Sequence, residues 1–120
     1  MKPRAYIIIG GISALLLFAS CGQQHQAEQT VKAFVEENME QPDKITSRDF
    51  ADLGTTRHLS DSIINVMRQR GARLFKKGIT YGSIPSGDLY YLRMNYISDG
   101  DTLQNTFYLN QELTEVVAYK

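Results

Sequence analysis

The sequence is poor in the residue types from which covalent and metal sites are built. Cys21 is the only cysteine among 120 residues, and there are two histidines. A single cysteine excludes an intramolecular disulfide, so the fold has to be stable without one. Two histidines without a second cysteine are too few good ligands for a zinc site. There is also neither a phosphate-cradling glycine motif nor a Gly-x-Ser-x-Gly elbow, the marks of P-loop proteins and of many hydrolases.

Charge of neither sign dominates the chain, which has 13 basic and 13 acidic residues. Lys2 and Arg4 fall in the first 20 residues, so residues 21–120 carry 11 basic and 13 acidic residues, a formal net charge of −2. This balance gives no general affinity for nucleic acid. One stretch is locally basic, and it would suit a phosphate or an anionic glycan. A solvated helix face is the commoner explanation of such a run. The stretch contains Arg57, Arg68, Arg70, Arg73, Lys76 and Lys77.

A long apolar run occurs near the N-terminus, over residues 5–18. Two basic residues precede it, and two small residues and Cys21 follow it. A charged start, an apolar centre and a small-residue cleavage site form the layout of a secretory signal peptide. The 16 residues from Ala5 to Ser20 are short for a transmembrane helix, which needs about 20 apolar residues. The pattern therefore favours a cleaved signal over a membrane-spanning anchor.

Because it ends on Cys21, this signal resembles the lipobox of bacterial lipoproteins, with Phe18 where that family usually has leucine. In that family a diacylglycerol is attached to the cysteine sulfur, and the peptide is cut just before it. The resemblance implies a lipoprotein signal peptide over residues 1–20, a lipidated cysteine and polar tether over 21–26, and a single α+β domain over 27–120. It also implies an anchor of acyl chains such as palmitate, which would hold the protein to a membrane of the bacterial cell envelope, namely the outer membrane.

Helical patterns predict three helices in the N-terminal part of the domain. The first is predicted over Gln24–Glu40, where apolar residues recur at helical spacing. A short second helix is predicted over Arg48–Leu53. A third is predicted to begin after Ser60 as its N-cap and to end at Gly71 or, more firmly, at Gly78.

Alternating patterns predict strands in the C-terminal part. A first, weaker strand is predicted over Ile79–Ile84, followed by Leu89–Ile97, Thr102–Leu109 and Leu113–Tyr119. The segment Ser98–Asp101 has the composition of a tight hairpin turn. In the second of these strands one face is the better core face, and it contains Tyr90, Leu92, Met94 and Tyr96. Phe34, on the first helix, and Phe107, on the next strand, are predicted to be buried with this face.

This order of elements predicts an α+β fold in which the N-terminal helices pack on one face of a C-terminal antiparallel β-meander. The order resembles the NTF2-like or cystatin-like superfamily over roughly Gln24–Lys120. Those folds wrap a long N-terminal helix in a curved antiparallel sheet. The resemblance implies a cone whose interior holds an acid or base in the enzymes of that superfamily.

Few residues qualify as catalytic candidates. His58 is a lone histidine in a polar loop, where a surface or capping role is commoner than that of a base. Asp49 and Asp52 would share a face of the second helix, and burial would have to split their pKa values before they could act as an acid–base pair. We therefore assign no catalytic, cofactor-binding or metal-binding residue.

A binding surface is the better-supported hypothesis, because Tyr91, Arg93 and Tyr108 lie on neighbouring predicted strands. Ordinary strand propensity is the alternative explanation of the tyrosines. The sequence thus predicts a lipid-anchored, non-catalytic binding or accessory module for a protein or glycan partner. The alternative is a small-ligand-binding or enzymatic pocket protein of the NTF2-like type. If the last strand lies at a sheet edge, it also leaves a homodimer open.

Overall fold

The computed structural model of the chain describes residues 22–57 and 59–120. The predicted signal peptide, Cys21 and His58 lie outside the described residues. Within them the fold is α+β, with two helices and a five-stranded antiparallel sheet. Neither of these helices is long and apolar enough to cross a membrane.

The first helix, α1, occupies residues 22–38 of the described chain. Its buried positions are Ala27, Val31 and Val35, four residues apart, and Met39 continues the series just beyond the helix. This spacing places one apolar stripe against the sheet. The predicted first helix is therefore confirmed, with its end two residues early. Residues 22–26, expected as a polar tether, belong to this helix.

The sheet has the order β1-β3-β4-β5, and the short β2 follows β1 along the same edge of β3. Its strands are β1 Ile45–Phe50, β2 Gly54–Thr56, β3 Leu89–Ser98, β4 Asp101–Leu109 and β5 Val116–Tyr119. The hairpin between β3 and β4 turns at Asp99 and Gly100, whose φ angles are 50° and 85°. Positive φ at both central residues is what a type I′ turn requires. This confirms the predicted hairpin and the last three strands, of which β5 begins three residues later than predicted.

Two of the weaker predictions are wrong. Arg48–Leu53 is not helical, because its first half lies in β1 and pairs with β3, placing Arg48 opposite Tyr96 and Phe50 opposite Met94. A six-residue helix gains little stability from its own hydrogen bonds. Pairing with the ten-residue β3 instead satisfies the backbone N–H and C=O groups of residues 48–50. Residues 79–84 are irregular and form no strand.

The main core lies between α1 and one face of the sheet. Leu92, Met94 and Tyr96 of β3 point into it, together with Phe107 of β4. Phe34 is half-buried at its margin, with its ring centroid 5.9 Å from that of Phe107. The predicted core face is confirmed for Leu92, Met94 and Tyr96, and Tyr90 is half-buried beside them.

The second helix, α2, spans Asp61–Arg70 and packs on the opposite face of the sheet. The Ser60 hydroxyl caps it by accepting a hydrogen bond from Ile63 N at 3.3 Å, and it ends at Gly71, where φ is 64°. The predicted N-cap is confirmed, and Gly78 is wrong as the end of this helix. Its buried Ile64 joins a second cluster, whose members on β3 and β4 alternate with those of the main core; the cluster contains Leu89, Tyr108, Val117 and Ala118. The expectation that all helices lie on one face is therefore wrong for α2, because these alternate positions form an apolar patch of their own.

Candidate functional site

A cavity of about 520 Å³ opens where α2 ends, between the last turn of that helix, residues 71–81 and Tyr119 of β5. This volume lies in the range of small-molecule sites. Its lining includes a single acidic residue, Glu40, beside five basic ones, Arg68, Arg70, Arg73, Lys76 and Lys77. We call it the basic cavity.

Arg68 holds one wall of the basic cavity in place. Its Nε donates to the Val117 carbonyl at 2.8 Å, and its Nη2 donates to the Gly82 carbonyl at 3.0 Å. The guanidinium also lies 4.7 Å from the ring centroid of Tyr81. Partial burial lowers the pKa of Arg68, and the nearby Tyr81 opposes that change. Because β5 is an edge strand, Arg68 closes part of an edge that would otherwise be open to a second chain.

Two phenol groups of the basic cavity are buried without hydrogen bonds. The Oη atoms of Tyr81 and Tyr119 have no hydrogen-bond partner among the described residues. Tyr119 is only 2% exposed, and its ring centroid lies 4.3 Å from that of Phe75. Buried polar groups in folded proteins are nearly always paired, so two orphans in one cavity call for an explanation.

The environment keeps both phenols protonated. The pKa of Tyr81 is raised to about 12, chiefly by burial and also by the neighbouring Tyr119, while Arg68 opposes the rise. Burial also raises the pKa of Tyr119, and the Ala72 backbone, which lies nearby without reaching hydrogen-bond geometry, partly offsets that rise. A tyrosine with an ordinary or raised pKa is a hydroxyl donor near neutral pH.

The basic side chains differ in what they already contact. Arg73 lies 3.8 Å from Asp101 in an exposed ion pair, and the Lys76 ammonium donates to the Glu37 carbonyl at 3.1 Å. Arg70 and Lys77 have no ion pair or hydrogen bond through their side chains within residues 22–57 and 59–120. Their donors are therefore available to a ligand.

The predicted surface of Tyr91, Arg93 and Tyr108 is assembled on one face of the sheet, the face that α2 covers in part. Tyr91 lies directly opposite Tyr108, and Arg93 lies opposite Thr106. Tyr108 is only 9% exposed, in the cluster that contains Ile64, and Arg93 is exposed. Tyr91 is half-buried, and its ring fills the space in which a β-carbon at Gly54 would stand, 2.4 Å from the nearest ring atom. The three residues are thus neighbours, but two of them serve largely in packing; their role in binding stays a prediction.

The catalytic candidates do not converge. Asp49 lies in β1 opposite Asn95, and both it and Asp52 are exposed, so they share no helix face. His58 is outside the described residues. No group of three histidine, cysteine or acidic residues in the described part of the chain is placed to hold a metal ion.

The sequence pattern favours a solvated helix face for the basic stretch from Arg57 to Lys77. Of its six basic residues only Arg68 and Arg70 are helical, because α2 ends at Arg70. The part after Arg70 turns back beneath the helix end and faces Tyr119, which is distant in sequence. The run of basic residues was the available signal, and nothing in the sequence paired it with Tyr119.

Comparisons of the chain with protein-family models, with curated proteins and with solved structures found no significant match.

Proposed function

We propose that the protein is a non-catalytic binding module whose ligand site is the basic cavity. The observation that supports this most strongly is the pair of buried Oη atoms, on Tyr81 and Tyr119, that lack hydrogen-bond partners among the described residues. Leaving a buried hydroxyl unpaired costs about 1–3 kcal/mol of stability. A ligand that accepts hydrogen bonds from these hydroxyls would offset that cost in the bound state.

Binding is favoured over catalysis by the kinds of groups that meet in the cavity. Arginine and lysine side chains donate hydrogen bonds and accept none, and a protonated phenol is a poor base near neutral pH. The one lining carboxylate, Glu40, is exposed. General base catalysis needs an acceptor within hydrogen-bond reach and an orienting partner, which this set does not offer.

The module is, in this proposal, tethered to a membrane of the bacterial cell envelope through a lipid on Cys21. The lipobox-like sequence supports the anchor, because a thiolate is nucleophilic enough to form the thioether and two acyl chains give stable binding. Gln24, near the start of α1, accepts a hydrogen bond from Leu53 N at 2.7 Å and donates to the Ala51 carbonyl at 3.1 Å. The domain would therefore begin within a few residues of the lipid and lie close to the bilayer surface.

A pocket protein related to the NTF2-like or cystatin-like superfamily is the second candidate. The packing of α1 on one face of an antiparallel sheet favours that relationship. The fully buried Val31, Leu92 and Phe107 occupy the space between α1 and the sheet, however. The space of a central cone is therefore filled by side chains.

A ligand screen by thermal unfolding tests the proposed function on the full chain in a non-ionic detergent. Ala72→Trp fills the basic cavity, and Ala51→Trp adds the same side chain at an exposed position outside the cavity lining. We expect at least one class of small molecule to raise the Tm of the wild type and of Ala51→Trp but not of Ala72→Trp. Equal shifts in both variants, or no shift from any class at millimolar concentration, would contradict the proposal. Chemical turnover of the bound molecule, followed by mass spectrometry, would favour an enzyme instead.

A further inference from the structure

We infer that the basic cavity recognises a phosphate group, carried by a ligand small enough to enter a cavity of about 520 Å³. This inference rests on the proposed binding function and names the ligand class for the same site. The phosphate oxygens would accept hydrogen bonds from the free basic side chains and, once the rings that cover them shift, from the two orphaned phenols, whose Oη atoms are closed to solvent in this structure.

The hydrogen-bond inventory of the cavity sets the chemistry of the ligand. Tyr81 and Tyr119 each bring one hydroxyl proton without an acceptor, and Arg70 and Lys77 bring further donors without partners among the described residues. A ligand that satisfies these groups has to supply acceptors and negative charge. A neutral sugar brings hydroxyl donors along with its acceptors and carries no negative charge, and a cation would meet like charge, so neither fits.

Phosphate fits this arrangement better than a carboxylate does. A phosphate ester offers up to three charged, non-bridging oxygens in a tetrahedral arrangement, whereas a carboxylate offers two in a plane. Donors reach the cavity from three separate parts of the chain, namely the end of α2, residues 76–81 and Tyr119 of β5. Arginine, in addition, matches phosphate geometry with two parallel hydrogen bonds.

The cavity is larger than the phosphate group alone needs. Its walls include the apolar side chains of Phe75 and Ile79 beside the Tyr81 and Tyr119 rings. These walls leave room for an organic body next to the phosphate. The phosphate could belong to a soluble sugar phosphate, a monoester with three non-bridging oxygens, or to the head group of a phospholipid, a diester with two.

Calorimetry on the full chain in dodecyl maltoside and phosphate-free buffer tests the inference. The probes are glucose 1-phosphate, glucose as the neutral control, and phosphatidylglycerol in mixed micelles. We expect heat of binding with one of the two phosphate compounds, none with glucose, and an affinity that falls as salt rises. Binding of glucose 1-phosphate would assign a soluble phosphate ester, and binding of phosphatidylglycerol alone would assign a lipid head group.

The variants separate the phenol hydroxyls from the rings that carry them. Tyr81→Phe with Tyr119→Phe removes both hydroxyls and keeps the packing, and Tyr90→Phe is the matched control because Tyr90 is half-buried outside the cavity lining. We expect the double variant to weaken phosphate binding at least tenfold and the control to change it less than twofold. Arg70→Gln with Lys77→Gln should also weaken binding at least tenfold.

Thermal unfolding without ligand separates a binding role of the hydroxyls from a structural one, because the two roles predict different changes in Tm. Removing unpaired buried hydroxyls should leave the Tm unchanged or higher, whereas removing hydroxyls that support the fold should lower it. A lower Tm together with unchanged phosphate affinity would overturn the inference.

Failure of this inference is distinguishable from failure of the proposed function. If a neutral or cationic compound stabilises the wild type but not Ala72→Trp, and neither phosphate compound binds, the phosphate inference is overturned and the binding function stands. If no compound of any class binds, both are contradicted.

Discussion

Replacing Arg68 by methionine tests how the edge of the sheet is held. The guanidinium joins α2 to β5 through the Val117 carbonyl at 2.8 Å and to residues 79–84 through the Gly82 carbonyl at 3.0 Å. Methionine keeps much of the aliphatic length but cannot donate a hydrogen bond. The change therefore removes both hydrogen bonds and the contact with the Tyr81 ring, while the hydrophobic stem is largely preserved.

The size of the expected stability loss depends on how exposed each contact of Arg68 is. The bond to Val117 is partly buried and contributes about 1–2 kcal/mol, whereas the exposed bond to Gly82 contributes little. An arginine over a tyrosine ring at a partly exposed site adds about 0.5–1 kcal/mol. We therefore expect Arg68→Met to lower the free energy of unfolding by about 1.5–3 kcal/mol, a substantial part of the roughly 5–15 kcal/mol expected for a domain.

Urea denaturation measures this loss, and Arg70→Met is the matched control. Arg70 lies on the same helix and makes no ion pair or hydrogen bond with a described residue, so its replacement should change stability by less than about 0.5 kcal/mol. Sedimentation adds a second readout, because a freed β5 edge should promote self-association in the Arg68 variant. Equal stability of the two variants, with no change in association, would refute the role assigned to Arg68.

Three further predictions concern the core, the phenols and the anchor. Phe34→Ala should lower the free energy of unfolding in urea by about 2 kcal/mol, less than for a fully buried phenylalanine because Phe34 is half-buried; an unchanged midpoint would mean that α1 does not pack as described. Stability should fall as the pH rises from about 10 to about 12, since Tyr81 and Tyr96 keep their protons to about 12 in the folded state while unfolded tyrosines lose them near 10. Tyr81→Phe should flatten that fall in a pH series of urea midpoints, and an equally steep fall would contradict the assignment. Cys21→Ser should abolish incorporation of radiolabelled palmitate and leave the precursor unprocessed; label that persists on the variant would exclude Cys21 as the lipidation site.

Local patterns predicted the parts of the fold that local interactions determine. The four-residue spacing of Ala27, Val31 and Val35 identified α1, and the Ser60 hydroxyl marked the start of α2. The Asp99–Gly100 turn fixed the β3–β4 hairpin, because few residues other than glycine and aspartate or asparagine accept positive φ. In each case the responsible residues are close in sequence.

The missed features depend on contacts between distant segments. β1 is a strand because β3 offers it an edge more than 40 residues later in the chain, and the six residues alone resemble a short helix. The side on which α2 packs depends on the apolar patch of Leu89, Tyr108 and Ala118, which forms only when three strands are in register. The basic cavity similarly needs Tyr119 to be brought against the end of α2.

Chemical-shift mapping of the isotopically labelled full chain tests whether a phosphate ligand binds in the basic cavity. Glucose 1-phosphate and phosphatidylglycerol would be titrated separately into the protein in dodecyl maltoside, and backbone amide shifts would be followed residue by residue. We expect one of the two ligands to give saturable shifts at residues that line the basic cavity, namely Gly71, Ala72, Gly78 and Tyr81. Shifts centred on Arg93 and Thr106 of the sheet face, or no saturable shift with either ligand, would contradict it.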